Sequence, residues 1–202
     1  MDNPDQIRQD CELVEKVLRG DTNSFAQIIK ATENLVAQIL FKMIKNEDNR
    51  KDIAQDVYIK AYKNLSGFKF QSKLSTWIAQ IAYNSCINFY HKKRTELYDD
   101  FLGSREEDDE IIRNEVADQE SSDFQIEEEI QGKELKKILE SEIEKLNPIY
   151  KTLITLFHNE ELSYEEITSI TQLPEGTVKN YLYRARKVLK TNLLKKYKEG
   201  EL

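Results

Sequence analysis

Residues 173–189, LPEGTVKNYLYRARKVL, decide how this chain is read. Val178, Leu182, Ala185 and Leu189 recur at spacings of four, three and four, which marks one buried stripe on an α-helix. Thr177, Asn180, Tyr181 and Arg184 form an outward face, with Lys179, Arg186 and Lys187 to its sides. Thr and Asn reach base edges, Arg pairs with guanine or clamps phosphate, and flanking cations sit where phosphates would lie. Gly176, near the helix start, permits close backbone approach, and Pro174 opens the helix. Just upstream, Ser163 and Glu166 have the spacing of a capping box, Ile167 and Ile170 face inward, and TQL at 171–173 makes a three-residue turn. A short helix, a turn and a longer basic helix are the helix-turn-helix layout. The plainer alternative is a solvated surface helix in a bundle. The capped partner helix and the turn count against it.

Such a helix is unexpected in a chain of 202 residues with a net charge of −7. The acid is segregated. Residues 95–132 carry 15 Asp/Glu and two Arg, a net of −13, which leaves +4 on 1–94 and +2 on 133–202. Like charges at that density repel and keep a segment extended, so 95–132 reads as a flexible acidic linker, either a plain tether or a specific acidic contact. The scarcity of Gly (6) and Pro (3) disfavours a turn-rich all-β protein. Two Cys far apart, no signal peptide and no run near the roughly 20 apolar residues of a membrane span predict a soluble, cytoplasmic protein without membrane insertion. Cys11, Cys86, His91 and His158 are too scattered for a metal site, and no cofactor-binding or nucleophile motif is present.

The rest of the chain is helical in pattern. A short amphipathic run (Leu13, Val14, Val17, Leu18) precedes Gly20-Asp21, and Phe25, Ile28, Ile29, Val36, Ile39, Leu40 and Met43 then mark a helix. Ile53, Ala54, Val57, Tyr58, Ala61, Tyr62 and Leu65 mark the next. SGFKFQSK at 66–73 breaks the pattern before a third, from Leu74 to Phe89, that ends in HKKR at 91–94. Trp77 lies on its apolar stripe and reads as core. After the acidic segment, Leu135, Ile138, Leu139, Ile143 and Leu146 mark a helix that stops before Asn147-Pro148, where another begins. The expected fold is all-α: two small helical domains, 1–94 and 133–202, joined by the linker 95–132.

Residues 162–189, LSYEEITSITQLPEGTVKNYLYRARKVL, closely resemble region 4 of the extracytoplasmic-function (ECF) sigma factors of bacterial RNA polymerase, in the sigma-70 family. The chain keeps that pattern's E-I, P-x-G-T-V-K and R-A-R elements. It departs at Thr168 for Ala, Gln172 for the turn Gly, Asn180 for Ser and Tyr181 for Arg. DIAQDVYIKAYKNL at 52–65 resembles region 2.2, and 68–94 resembles regions 2.3 and 2.4, with Tyr83-Asn84 and Asn88 at the family's usual Arg-Asn and Asp. Two matches in the right order, with a divergent linker between, cover about two thirds of the chain.

The resemblance implies roles. Region 4 would read the −35 element of promoter DNA through Ser163, Thr177, Lys179, Asn180, Tyr181, Arg184 and Arg186. Region 2 would open and hold the −10 element. The loop Phe68, Lys69, Phe70, Gln71, Ser72 and Lys73 would receive a flipped base, Asn84 and Asn88 would read base edges, and Lys92, Lys93 and Arg94 would neutralise phosphates. Asp52, Gln55, Asp56 and Lys60 would dock on the clamp of the largest subunit of core RNA polymerase. The acidic linker would thread toward the RNA exit path, and an anti-sigma factor would be the inhibitor. The chain would be no enzyme and need no cofactor. Two competing readings are a stand-alone helix-turn-helix regulator and a helical interaction module. The first half discriminates, because neither needs a −10-opening region or a polymerase-docking helix.

Overall fold

The chain was described from a computed structural model, in which residues 4–92 and 132–198 are placed. The acidic run 95–131, and with it Lys93 and Arg94, lies outside the described residues. The first half holds α1 (Pro4–Leu18), α2 (Thr22–Met43), α3 (Glu47–Asn64), a 3-10 turn (Leu65–Gly67) and α4 (Leu74–Lys92). The second holds α5 (Gly132–Lys145), α6 (Pro148–Ile154) running into a π turn (Thr155–Asn159), α7 (Tyr164–Thr171) and α8 (Glu175–Lys198). No strand occurs among the described residues.

Local chemistry sets the helix starts. Asp21 caps α2, accepting from the Asn23 amide at 2.9 Å, while Gly20 takes φ 99° to turn the chain into it. Asn46 caps α3 at 2.9 Å and Asn147 caps α6 at 2.8 Å, with Pro148 at the first helical position. The start of α4 is served from elsewhere. Asp10 of α1, itself 7 % exposed, accepts from the Leu74 amide at 2.9 Å, so the amino-terminal helix positions the helix that follows the loop.

The four helices of the first half pack on α2 and α4. Ile28, Val36, Ile39 and Met43 of α2 meet Val57 and Ala61 of α3 and Ile78, Ala82 and Cys86 of α4 in one buried cluster. Burial pushes the Cys86 thiol up to about 12, so Cys86 serves as a small apolar side chain. The Tyr90 hydroxyl, also buried, donates to the Met43 carbonyl.

The two halves are not independent. α4 packs against α7, and α2 against α6, so a single apolar core runs from Val14 to Leu189. The sequence predicts two bodies on a tether; the described residues form two bodies pressed together. This explains why α4 is buried nearly all round, at Leu74, Thr76, Ile78, Ala79, Ala82, Tyr83, Ser85, Cys86 and Tyr90. One side faces α2 and α3, and the other faces the second half.

Candidate nucleic-acid interface

The helix-turn-helix forms as the capping pattern predicts. The Glu166 amide donates to Ser163 Oγ at 3.2 Å, and Glu166 Oε2 accepts from the Ser163 amide at 2.9 Å. Ser163 is thus used as a cap in this structure. α7 ends at Gln172, which takes φ 58° and ψ 19°, the left-handed conformation that the family's glycine adopts freely. Its side chain donates to the Ser169 carbonyl at 2.7 Å, a local bond that offsets part of the cost. Val178, Leu182 and Ala185 are fully buried, Leu189 is 7 % exposed, and Val188 joins them.

The outward face differs from the one expected. Tyr181 is half-buried, with its ring 5.5 Å from that of Tyr150. Tyr183, which was not expected on the reading face, is 58 % exposed. Helix geometry accounts for both. At about 100° per residue, Tyr181 lies roughly 70° from the centre of the buried stripe and Tyr183 roughly 130°. Tyr181 is therefore a flank of the core and Tyr183 part of the open face. That face carries Lys179, Asn180, Tyr183 and Arg186, with Thr177, Arg184 and Lys187 half-buried beside it.

Several of these side chains are held in place. Arg184 Nε donates to Asn180 Oδ1 at 3.2 Å, so the two act as one polar unit. Lys179 pairs with Glu175 at 2.6 Å and lies over the Tyr164 ring at 5.1 Å. Arg186 Nε donates to His158 Nε2 at 3.3 Å, and its guanidinium lies 5.1 Å from the Phe157 ring centre. Burial, and then the Arg186 charge, lower the His158 pKa from its ordinary value, which keeps the imidazole neutral and able to accept. Phe157 and His158 both belong to the π turn. Its extra residue re-aims them toward α8, and nothing in the periodicity of 148–159 announces it.

The loop of the first half is more closed than expected. Phe68 is 8 % exposed, with its ring 4.7 Å from Phe70 and 5.2 Å from Trp77. Trp77 is half-buried in this aromatic floor, consistent with a packing role. Phe70 holds φ 54°, unusual for a bulky residue and a site of local backbone strain. Lys69 and Gln71 are exposed, as are Asn84, Asn88 and Lys92 on α4. Ser72 Oγ turns back to the Lys73 carbonyl at 3.3 Å. Lys73 reaches across to the second half, where its Nζ lies 2.7 Å from Glu166 Oε1.

On α3, Asp52, Gln55 and Asp56 are exposed, opposite the buried Ile53, Val57 and Ala61. Lys60 is exposed as a residue, yet its Nζ donates to Ser85 Oγ on α4 at 3.0 Å, so it leans away from the carboxylates. Ile59, 42 % exposed, lies one turn beyond Gln55 and Asp56 and adds an apolar element that sequence reasoning missed. A large aliphatic residue one helical turn from Gln55 and Asp56 on the polar face was the signal for it. Among the described residues no group of three or more His, Cys, Asp or Glu is arranged to hold a metal, and no helix is long and apolar enough to cross a membrane.

Residues 28–96 match the family Sigma-70 region 2, and residues 136–189 match Sigma-70, region 4. The chain is 33% identical over 180 residues to the ECF RNA polymerase sigma factor SigW of Bacillus subtilis, covering 89% of this chain and 94% of that protein. It is 29% identical over 184 residues to the ECF RNA polymerase sigma-E factor of Haemophilus influenzae, covering 91% of this chain and 95% of the relative. Its fold is similar to that of CnrH, solved in complex with the cytosolic domain of CnrY, with a TM-score of 0.60, 19% identity, and coverage of 92% of this chain and 97% of that one. A second similar fold, at TM-score 0.51 and 23% identity over 84% of this chain and 96% of the other, is the sigma factor RpoE of Bartonella quintana, solved with the anti-sigma factor NepR. With both sigma regions present in order and relatives matched along nearly their whole length, the chain belongs to the ECF RNA polymerase sigma factors.

Proposed function

We propose that this alternative sigma factor divides promoter reading between its halves, with 133–202 on the −35 duplex and 1–94 on the opened −10 strand, and that the enzyme is supplied by core RNA polymerase. The observation that carries the −35 assignment is the open face of α8. Asn180 and Arg184 form a bonded pair suited to a base edge, and Tyr183 stands beside them. Lys179 and Arg186, held from the side by Tyr164 and by Phe157 and His158, are placed as phosphate contacts.

In the first half, Lys69 and Gln71 rim the aromatic floor, and Asn84, Asn88 and Lys92 extend a polar track along α4. Stacking over a floor of this kind recovers part of the few kcal/mol needed to unstack a base. Lys93 and Arg94 continue the basic run in sequence. Asp52, Gln55 and Asp56, together with Ile59, supply the mixed polar and apolar patch of a docking interface, assigned here to the clamp of the largest polymerase subunit. An anti-sigma factor is the proposed inhibitor, by analogy with the partner bound to the Bartonella protein.

A run-off transcription assay with and without core polymerase tests the reading. Promoter-dependent transcripts that need both the chain and core are expected. Tight, specific duplex binding without core, and no transcript with it, would instead favour a stand-alone helix-turn-helix regulator. Arg184→Ala is expected to cost about 1–3 kcal/mol on a cognate −35 element and little on a scrambled one. An equal loss on both would reduce Arg184 to a phosphate contact.

A further inference from the structure

Two cations of α8 rest on aromatic rings that belong to other elements. Lys179 lies 5.1 Å from the Tyr164 ring centre of α7. Arg186, about two turns further along α8, lies 5.1 Å from the Phe157 ring centre of the π turn. The Phe157 and Tyr164 ring centres are 5.0 Å apart, so both cations share one aromatic wall. A cation over a ring face keeps its outer N–H groups for another partner. Such a row suits a strand of DNA backbone, whose phosphates ask for charge and not for base reading.

His158 adds a titratable group to this row. Its ring meets Phe157 edge to face at 5.0 Å, and its Nε2 accepts from Arg186 Nε at 3.3 Å. An accepting Nε2 leaves the proton of the neutral ring on Nδ1. Both side chains are exposed, so a ligand that reaches Arg186 also reaches the imidazole. The charge acting on the imidazole is that of Arg186, from α8; Glu160 and Glu161 after the turn and Glu165 and Glu166 of α7 do not contribute. In the free chain, burial and then Arg186 favour the neutral ring. A phosphate on Arg186 reverses this. It cancels the cation that repels a second charge, and it attracts one itself.

We propose that Arg186 and His158 form a clip for one backbone phosphate of the −35 duplex, in which His158 takes a proton from solvent as the phosphate arrives. This rests on the −35 assignment proposed above. The proton goes to Nε2. Arg186 Nε–H gives up that acceptor, and both side chains turn N–H groups to the phosphate oxygens, with Phe157 behind them. At about pH 8 the ring is neutral with and without DNA. As pH falls, the complex gains a proton that the free chain still lacks, so affinity rises. The contact is to backbone, so the gain is the same for any sequence.

The test uses the full chain with core polymerase, on promoter duplexes with a cognate or a scrambled −35 element, between about pH 8 and about pH 6. His158→Gln keeps an acceptor and carries no charge. His158→Lys is charged throughout. His91, the other histidine, is on α4 and is the same in all three chains. The ratio of native to His158→Gln affinity is expected to rise about three- to tenfold from the higher pH to the lower, equally on both duplexes. The ratio of native to His158→Lys affinity should approach one. The salt dependence of binding should steepen in the native chain alone, by up to about one phosphate contact. Ratios that stay constant with pH would overturn the clip, and so would a gain confined to the cognate element. Run-off transcription is measured in parallel. If no promoter-dependent transcript forms, the sigma reading is lost, and the same ratios on duplex bound by the chain alone decide the clip.

Discussion

The two readers are built on opposite plans. The second half presents a finished surface, in which a capped helix, a three-residue turn and a long helix hold Asn180, Tyr183 and Arg184 on a rigid frame. The first half presents a loop with one residue at positive φ, an aromatic floor that is largely closed, and a lysine engaged with the other half. Duplex DNA has a groove that exists before binding, so its reader gains from being preformed. An unpaired base has no place until the strand opens, so its receptor is better completed on capture. The strain at Phe70 and the engagement of Lys73 fit a site that rearranges when used.

The sharpest way to break this contrast is Leu182→Ala. Leu182 is fully buried at the centre of the duplex reader, and its truncation is expected to cost about 3–5 kcal/mol. Binding to a −35 duplex should be lost while the oligonucleotide affinity of the first half is kept or raised. Loss of both in equal measure would mean that the halves fold as one unit. The mirror experiment is Phe68→Ala, expected to cost about 3 kcal/mol and to abolish −10 strand binding with the −35 affinity unchanged. Unfolding transitions and separate binding isotherms measure both.

Acid offers a smaller effect. Burial alone would raise the Glu144 and Glu166 carboxyls. The hydrogen bonds from Lys42 to Glu144 and from Lys73 to Glu166, with the nearby lysine charges, outweigh it and hold both below the ordinary 4.5. Groups lowered by contact between the halves stabilise that contact above about pH 4.5 and lose that contribution as pH falls through their depressed values. Contact between the halves, followed by energy transfer between labels on Ala31→Cys and Lys190→Cys in a Cys11→Ser background, should therefore be flat from pH 8 to about pH 5 and drop below it, at the order of 1 kcal/mol for these part-exposed pairs. Glu144→Gln should flatten much of that drop. The smallest effect is Gln172→Gly, which relieves a left-handed side-chain residue and should add about 0.5–1 kcal/mol of stability without changing DNA affinity. A loss of stability would show that the Gln172–Ser169 bond outweighs the strain.

Tyr181 shows where sequence reasoning was too coarse. A four-three-four stripe was legible, but a residue about 70° off its centre is decided by what packs beside it: Tyr181 meets the Tyr150 ring, while Arg186, at a similar angle on the other side, stays exposed. Tyr183 was recoverable by the same arithmetic. Lys73 was legible as a loop cation and not as a bridge, because its partner lies 93 residues away. The π turn that aims Phe157 and His158 is one extra residue per turn, too short to alter the apolar periodicity on either side.

Taken alone, the amino-acid order determined what is local: the helices, through their apolar spacing; their starts, through Asp21, Asn46, Asn147 and Ser163; and the helix-turn-helix, through its turn and its basic second helix. Those features depend on contacts a few residues apart, which leave a pattern in the chain. Only the tertiary structure decided that the halves pack on each other, that Glu166 serves both a cap and a bridge to Lys73, and that Tyr181 packs on Tyr150 instead of standing on the open face. Those depend on surfaces far apart in sequence, whose match in shape and charge has no period and so leaves no local mark.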